Sequence, residues 1–213
     1  MNPQESTLYR YAELLSSCHT ARLTGTRGTD DIYNLQVLDC VPSLEFLPES
    51  GNVIDVGSGG GLPGIVWAVY RPDLNITLLD SIRKKCEAVK AIIDELGIQN
   101  VNVICSRSED YALSHREEFM LSCARAVSSA GITTELLSPL VKVGGRIITF
   151  KGERVHEEIS EVNGKWERLG LSKPLLKFYG GESKCIVSWE KLKKCPAMYP
   201  RRTGLAMTKK FWE

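Results

Sequence analysis

The sequence lacks the features that mark several common classes of protein. None of its 213 residues falls in an apolar run of 18, and no basic segment followed by an apolar one occurs near the start. We therefore expect neither a membrane span nor a secretion signal. The seven cysteines are odd in number and scattered, with no C-x-x-C pair, so we expect no disulfide framework and no metal site. These absences favour a cytoplasmic protein.

Several catalytic motifs are also missing. The phosphate-binding G-x-x-x-x-G-K-[ST] motif is absent, and Ser58 has Val56 rather than glycine two residues earlier, which excludes the G-x-S-x-G motif of hydrolases. The three histidines, His19, His115 and His156, are far apart and form no H-x-x-x-H pair. The histidines are therefore expected at the surface rather than in a catalytic centre.

Net charge is small, but its distribution is uneven. The formal net charge is +1. Residues 184–213 hold eight basic residues against two acidic ones, whereas residues 1–183 hold 19 basic and 24 acidic ones. A basic end on an acidic body predicts a polyanionic partner at one edge, and a solvated lysine-rich tail is the alternative.

Short apolar runs alternate with helix-like stretches from residue 53 onward. This alternation is typical of a parallel sheet covered by helices. The runs expected to be strands are residues 53–56, 76–80, 101–105, 119–124, 146–151, 175–179 and 185–190. Helices are expected over residues 30–47, 82–96 and 154–169, with Gly97 ending the second of them. We predict a helical cap (1–48), a catalytic domain (49–192) and a basic tail (193–213), which together make one structural domain.

A glycine-rich turn follows the first of these strands and precedes an apolar helix-like run. Glycine allows the backbone to approach a ligand closely, and Pro63 suits the first turn of a helix. Two registers compete. Residues 59, 61 and 64 match the G-x-G-x-x-G of dinucleotide-binding proteins, whereas Asp55, Gly57, Gly59 and Gly61 match the D-x-G-x-G-x-G of S-adenosylmethionine enzymes.

Electrostatics favours the second register. A carboxylate at Asp55 would repel a pyrophosphate, but it would attract the cationic ammonium and sulfonium groups of S-adenosylmethionine. The alternative is that Asp55 only caps the helix that follows. Asp80 ends the second strand, where a carboxylate can accept from ribose hydroxyls of either cofactor. After the third strand, the acids of residues 106–110 are placed to read an adenine amine or to cap a helix.

The chain resembles the glucose-inhibited division protein B family of ribosomal small-subunit methyltransferases over nearly its whole length. The resemblance rests on RLTGTRGTDDIYNLQVLDC (22–40), IDVGSGGGLPG (54–64), LLDSIRKK (78–85), SRSEDY (106–111), CARAVSS (123–129), FKG (150–152) and YPRRTGLAMTKK (199–210). The sequence departs from the usual family pattern at Arg22, Gln36, Cys40 and Met207–Thr208. These departures affect the N-terminal cap and the tail rather than the glycine loop.

The resemblance implies a Rossmann-like class I methyltransferase fold, which is an α/β fold with a mostly parallel seven-stranded sheet, helices on both faces and an N-terminal helical cap. It also implies methylation of guanine N7 in 16S ribosomal RNA with S-adenosylmethionine as cofactor. The expected cofactor contacts are Asp55, Gly57, Gly59, Gly61, Leu62, Asp80, Ser108, Glu109 and Arg125.

Arg125 is also singled out by its position, because it ends a predicted strand where ligands bind in such sheets, and we expect it to be the catalytic residue. A structural ion pair is the alternative role for this arginine. Contacts to RNA phosphates are expected from Arg201, Arg202, Lys209 and Lys210, with Tyr199, Phe211 or Trp212 for stacking. The expected partner is 16S rRNA or the assembling small subunit, bound by a monomer. An NAD-linked oxidoreductase and a non-catalytic RNA-binding protein are the alternatives.

Overall fold

The computed structural model describes residues 2–181 and 183–213, and it divides into two compact units, Met1–Ser106 and Arg107–Glu213. None of the described helices is long and apolar enough to cross a membrane. The elements of the first unit are α1 (Pro3–Ser17), α2 (Thr29–Ile32), a π-helical turn (Tyr33–Val37), a 3-10 helix (Leu38–Phe46), β1 (Asn52–Val56), α3 (Gly64–Tyr70), β2 (Asn75–Asp80), α4 (Arg83–Leu96) and β3 (Val101–Cys105).

The three strands of the first unit are parallel and lie in the order β3-β2-β1. The pairing aligns Asp55 with Leu78 and Asp80 with Cys105. Because parallel strands all end at the same edge, the loops that follow β1 and β2 emerge side by side. This edge carries the glycine-rich turn, and the predicted strand boundaries are confirmed to within one residue.

Helix α1 packs against α3 and α4. It begins with a capping box, in which the Asn2 side chain accepts from the Glu5 N–H while the Glu5 carboxylate accepts from the Asn2 N–H. The buried side chains, Leu8, Tyr11, Ala12 and Leu15, recur every three or four residues and so share one face of the helix.

The helical prediction for residues 30–47 is confirmed, although the segment is not one α-helix. It passes from α2 through the π-helical turn into the 3-10 helix. Pro42 lies inside that 3-10 helix and has no N–H to donate. A regular α-helix over the whole segment would lack a hydrogen bond at this residue.

The second unit contains four strands in the order β4-β5-β7-β6. β4 and β5 are parallel, whereas β7 is antiparallel to both of its neighbours. The elements are α5 (Ser108–Ser114), β4 (Phe119–Arg125), α6 (Ala130–Leu137), a 3-10 helix (Ser138–Leu140), β5 (Val141–Lys151), α7 (Val155–Val162), a second 3-10 helix (Lys165–Leu169), β6 (Leu175–Tyr179), β7 (Lys184–Glu190) and α8 (Leu205–Thr208).

Two elements of this unit differ from their predicted bounds, and glycine explains both. β5 begins at Val141 rather than at residue 146, because Gly144 and Gly145 give its first half the composition of a turn. The register with β4 shifts there, and a Cβ on Gly145 would lie 2.7 Å from the Met120 carbonyl oxygen. The helix expected over 154–169 is interrupted after α7, where Asn163 and Gly164 take positive φ angles of 50° and 74°.

The predicted α/β fold with seven mostly parallel strands is confirmed. Strands and helices alternate along the chain from β1 to α7, and in the second unit it is β7 that runs opposite to β4, β5 and β6. A βαβ alternation of this kind places ligand sites at the carboxyl ends of the parallel strands. The functional residues are therefore expected in the segments that follow β1, β2, β3 and β4.

Lys191 is a fully buried cation in the second unit. Its Nζ donates to the backbone oxygen and to the hydroxyl of Ser138, at 2.6 and 2.7 Å. Burial lowers the pKa of Lys191 to about 8, and it outweighs the opposing effects of Cys195 and Glu117, while Arg116 lowers the pKa further.

We expect the free energy of unfolding to rise with pH between about 8 and 10.5, because in this range the unfolded chain holds a proton on Lys191 that the folded protein has lost. The rise attributable to this residue should be about 3 kcal/mol. Denaturant unfolding of wild type and Lys191→Met across this range would measure it as the difference between the two profiles. Parallel profiles would show that Lys191 titrates alike in both states.

Candidate active site

The glycine loop between β1 and α3 has a backbone conformation that residues other than glycine rarely adopt. The φ angles of Gly57, Gly59 and Gly61 are 71°, 56° and 100°, all in the left-handed region. The Gly57 N–H donates to the Leu79 carbonyl oxygen at 2.7 Å, which ties the loop to the end of β2. The pattern of glycines thus has a conformational cause, and it leaves an open turn at the sheet edge.

Asp55 is fully buried below this loop. Its Oδ2 accepts from the N–H of Gly64, the first residue of α3, at 3.0 Å. This contact is the helix-capping role that the sequence left as the alternative. The carboxylate holds the end of the loop, and any effect on a cationic ligand acts through its charge at short range.

Asp80 lies at the end of β2 and is 8% exposed. One carboxylate oxygen accepts from the Gly59 N–H at 2.9 Å, and the other accepts from the Ile82 N–H at 2.9 Å. Each oxygen of an ionised carboxylate can accept more than one hydrogen bond. Asp80 therefore fixes the glycine loop and retains acceptor capacity toward a ligand.

The N-terminal segment also supports the loop, which sequence reasoning missed. The Tyr11 hydroxyl of α1 donates to the Gly60 carbonyl oxygen at 2.6 Å, in a buried position. The Leu23 carbonyl oxygen lies 3.0 Å from the place that a Cβ on Gly60 would occupy. Neither contact could be predicted from sequence periodicity, because Tyr11 and Leu23 precede Gly60 by 49 and 37 positions in the chain. The fragment RLTGTRG was the only sequence signal for this region.

The other predicted adenine contacts lie at the start of α5 in the second unit. Ser108 is 7% exposed, and Glu109 is half-buried. The Glu109 carboxylate accepts from the Gly204 N–H at 3.1 Å, and the Asp110 carboxylate accepts from the Thr203 hydroxyl at 3.2 Å. The acids of this helix therefore hold the segment that precedes α8.

Arg125 is the last residue of β4, and its side chain is half-buried. Its guanidinium carbon lies 5.6 Å from the centre of the Phe150 ring on β5. The next residue, Ala126, has a φ of 58°, which is strained for a residue that carries a Cβ. Strained backbone directly after a strand end is a feature of binding loops.

The loop after Arg125 is fixed by Lys151 and Glu158. The Lys151 ammonium donates to the Ser128 carbonyl oxygen at 2.5 Å and forms an ion pair of 2.9 Å with Glu158. The same carboxylate accepts from the Ala130 N–H at 2.7 Å. Lys151 belongs to the FKG segment, whose role the sequence did not reveal.

Arg201, one of the predicted phosphate contacts, is paired with an acidic side chain of the second unit. Its guanidinium makes two hydrogen bonds to the Glu135 carboxylate, at 2.7 and 2.6 Å, and the side chains are only 11% and 1% exposed. This arginine is committed to the protein interior. Lys210 pairs with Glu161 at 2.9 Å, whereas Arg202 and Lys209 are exposed.

The aromatic side chains proposed for stacking on RNA bases are also placed differently from the prediction. Tyr199, Phe211 and Trp212 are 6%, 4% and 6% exposed, respectively. Phe211 contacts both of the others edge to face. They form a small core for the tail and have no free ring face to offer to a base.

The predicted site residues thus fall into separate groups. Asp55, Gly57, Gly59, Gly61, Leu62 and Asp80 lie together in the first unit around one loop. Ser108 and Glu109 lie together in the second unit, where Arg125 ends β4. No group of three or more His, Cys, Asp or Glu side chains within 2–181 and 183–213 could hold a metal ion.

This chain is similar to known proteins over most of its length. The sequence profile of rRNA small subunit methyltransferase G matches residues 4–187. The protein of that name from Petrotoga mobilis is 36% identical over 205 residues, which cover 92% of this chain and 90% of the relative.

Solved structures agree in fold. An rRNA methylase from Streptococcus thermophilus has a TM-score of 0.53 at 19% identity, covering 73% of this chain and 95% of that one. P. horikoshii TYW2, solved in complex with MeSAdo, has a TM-score of 0.54 at 12% identity, covering 73% and 62%. The length of the profile match and the identity to a relative of nearly the same size place this chain in the rRNA small subunit methyltransferase G family.

Proposed function

We propose that this protein transfers a methyl group from S-adenosylmethionine to N7 of a guanine in the 16S RNA of the small ribosomal subunit. The proposal rests on the glycine loop after β1, which Asp80 holds by a hydrogen bond from Gly59, and on the membership of this chain in the family. The proposed setting is the cytoplasm, with 16S rRNA or the assembling subunit as partner and a monomer as the acting form.

The chemistry of the glycine loop fits this cofactor. When bound, S-adenosylmethionine supplies an electrophilic methyl group on a cationic sulfonium. The loop offers it close backbone approach at Gly57 and Gly59, since neither carries a side chain, whereas Gly61 makes room for Ile65 and so sets the path of the loop. Asp80 would hold the ribose hydroxyls, and Leu62, Ser108 and Glu109 are the further contacts that we propose. Asp55 would act by holding the loop and by its negative charge.

Guanine N7 carries a lone pair and no proton, so its methylation requires no general base. The task of the protein is to align the accepting nitrogen with the methyl group and to stabilise charge that moves onto the purine. We assign this orienting role to Arg125, the catalytic residue of the proposal. N7 is inaccessible in the narrow major groove of an A-form helix, so the target guanine must lie in a loop or be turned out of its stack.

We propose that the tail contacts RNA phosphates, chiefly through those of its basic side chains that are exposed. Arg202 and Lys209 are exposed and available to a phosphate. Lys210 could exchange its half-exposed partner Glu161 for RNA. Arg201 would act indirectly, by holding the tail against the second unit.

The proposal is tested by incubating the purified protein with small subunits from cells that lack it and with methyl-labelled S-adenosylmethionine. We expect label in 16S RNA at one guanine, located by chemical cleavage at 7-methylguanine. Calorimetry should show binding of S-adenosylmethionine and no binding of NAD. Binding of NAD alone would favour an oxidoreductase, and RNA binding without label would favour a non-catalytic protein.

Arg125→Ala should lower kcat by more than it lowers the melting temperature, because the side chain ends a strand at the ligand edge of the sheet. Arg125→Lys should restore only part of the activity, since lysine lacks the planar fork of the guanidinium. Turnover per folded molecule and thermal melting of the same preparations measure this. A large fall in melting temperature with unchanged turnover would show that Arg125 is structural.

A further inference from the structure

A polar cavity of about 520 Å³ lies in the first unit, beside the segment that joins α1 to α2. Its lining comes entirely from residues 15–28 and holds three basic side chains and no Asp or Glu. The basic side chains are Arg22, Arg27 and His19, and hydroxyl groups come from Ser16, Thr24 and Thr26. Guanidinium groups and hydroxyls without acidic neighbours in one concave lining are suited to an oxyanion.

The segment that carries the two arginines is anchored at several points. The side-chain amide of Gln36 donates to the hydroxyls of Thr24, at 2.7 Å, and Thr26. The Thr26 N–H donates to the Thr24 hydroxyl at 3.0 Å. These hydrogen bonds hold the backbone between Thr24 and Thr26, and the exposed Arg22 and Arg27 lie on either side of it in the chain.

The charges around the cavity leave its arginines available. Arg22 and Arg27 are exposed, and neither has an ion-pair partner among residues 2–181 and 183–213. Asp30, just beyond the lining, accepts from the Tyr9 hydroxyl at 2.6 Å. On α1, Glu13 is paired with Arg10 at 2.8 Å.

The same segment contacts the glycine loop. The Leu23 carbonyl oxygen and side chain lie 3.0 and 3.4 Å from the position that a Cβ on Gly60 would take. Arg22 is therefore one residue along the chain from a residue that contacts the glycine loop. This connection joins the cavity lining to the loop at which we propose the methyl donor binds.

We propose that this cavity binds a backbone phosphate of the RNA substrate and so helps to seat the target nucleotide. The inference rests on the proposed function and adds a contact site outside the basic tail. Arg22 and Arg27 would each neutralise phosphate charge, and the hydroxyls of Thr24 and Thr26 would fix their loop. Arginine suits this role because its planar fork can pair two oxygens of one phosphate.

The test compares Arg22→Gln/Arg27→Gln with a control of equal charge change, Lys90→Gln/Lys142→Gln, whose side chains are exposed on α4 and β5. Binding is measured with deproteinised 16S RNA over a range of salt concentrations, and KM is measured with small subunits. The first variant should bind RNA on the order of 10-fold more weakly near physiological salt, with a salt slope lower by about 0.7 to 0.9, the value for one phosphate contact. Arg22→Lys/Arg27→Lys should restore most of the slope, and calorimetry should find S-adenosylmethionine binding unchanged.

Equal losses in the two glutamine variants would mean that net charge alone matters and would overturn the proposal. Wild-type affinity and slope in Arg22→Gln/Arg27→Gln would overturn it as well. Either result can occur while the wild-type protein still methylates small subunits, which would leave the proposed function intact. If the wild-type protein methylates nothing, the proposed function fails, and the RNA-binding comparison still decides the role of the cavity.

Discussion

Replacing Glu135 by alanine is expected to lower the free energy of unfolding by about 3 to 5 kcal/mol, which is the cost of leaving a buried cation without its partner. The Arg201 guanidinium would lose both of its hydrogen bonds to that carboxylate, and within residues 2–181 and 183–213 it would keep its bond to the Lys209 carbonyl oxygen, at 2.5 Å. Urea unfolding at neutral pH measures the effect through a shift of the midpoint with an unchanged slope.

A double variant separates the effect of losing the ion pair from the effect of losing side-chain packing. Glu135→Leu/Arg201→Met replaces both charges by apolar groups of similar length, and it should be more stable than Glu135→Ala. A Glu135→Ala variant within about 1 kcal/mol of wild type would show that the pair contributes nothing to stability. Arg201 would then be available to RNA, as the sequence predicts.

Gly61→Ala is expected to weaken S-adenosylmethionine binding by about ten-fold or more, which corresponds to at least about 1.4 kcal/mol. The new Cβ would lie 2.6 Å from Ile65 Cδ1, at a residue whose φ is 100°. A side chain at this φ costs about 1 to 2 kcal/mol before any clash, so the loop would move. Calorimetry with the folded variant measures the change in affinity.

Gly97→Ala is the matched control for backbone strain. Gly97 ends α4 with a φ of 67°, but a Cβ there would meet no atom within 4 Å. We expect this variant to lose about 1 kcal/mol of stability and to bind the donor as wild type does. Equal donor affinities for the two variants would show that the backbone conformation at Gly61 does not control donor binding.

The strands and the glycine loop could be predicted because their signals are local. A strand buried in a parallel sheet is a short apolar run, and a left-handed turn favours glycine. For this reason the bounds of β1, β2 and β3 agree with the prediction. The predicted β5 was too short, because the glycines inside the strand resemble a turn. The family could also be identified, since its motifs recur in a fixed order along the chain.

The use made of each charge depended on the tertiary structure. By sequence, Arg201 and Arg202 are adjacent and equivalent, yet one is buried against Glu135, 66 residues away, and the other is exposed. Asp55 matches a cofactor motif, but its oxygen accepts from Gly64. A charged side chain stabilises whichever partner the fold brings within hydrogen-bond distance, and that partner is set by long-range packing. The sequence alone therefore determined the fold class, the family and the place of the glycine loop. Only the tertiary structure decided which cations are paired within the protein and which are exposed.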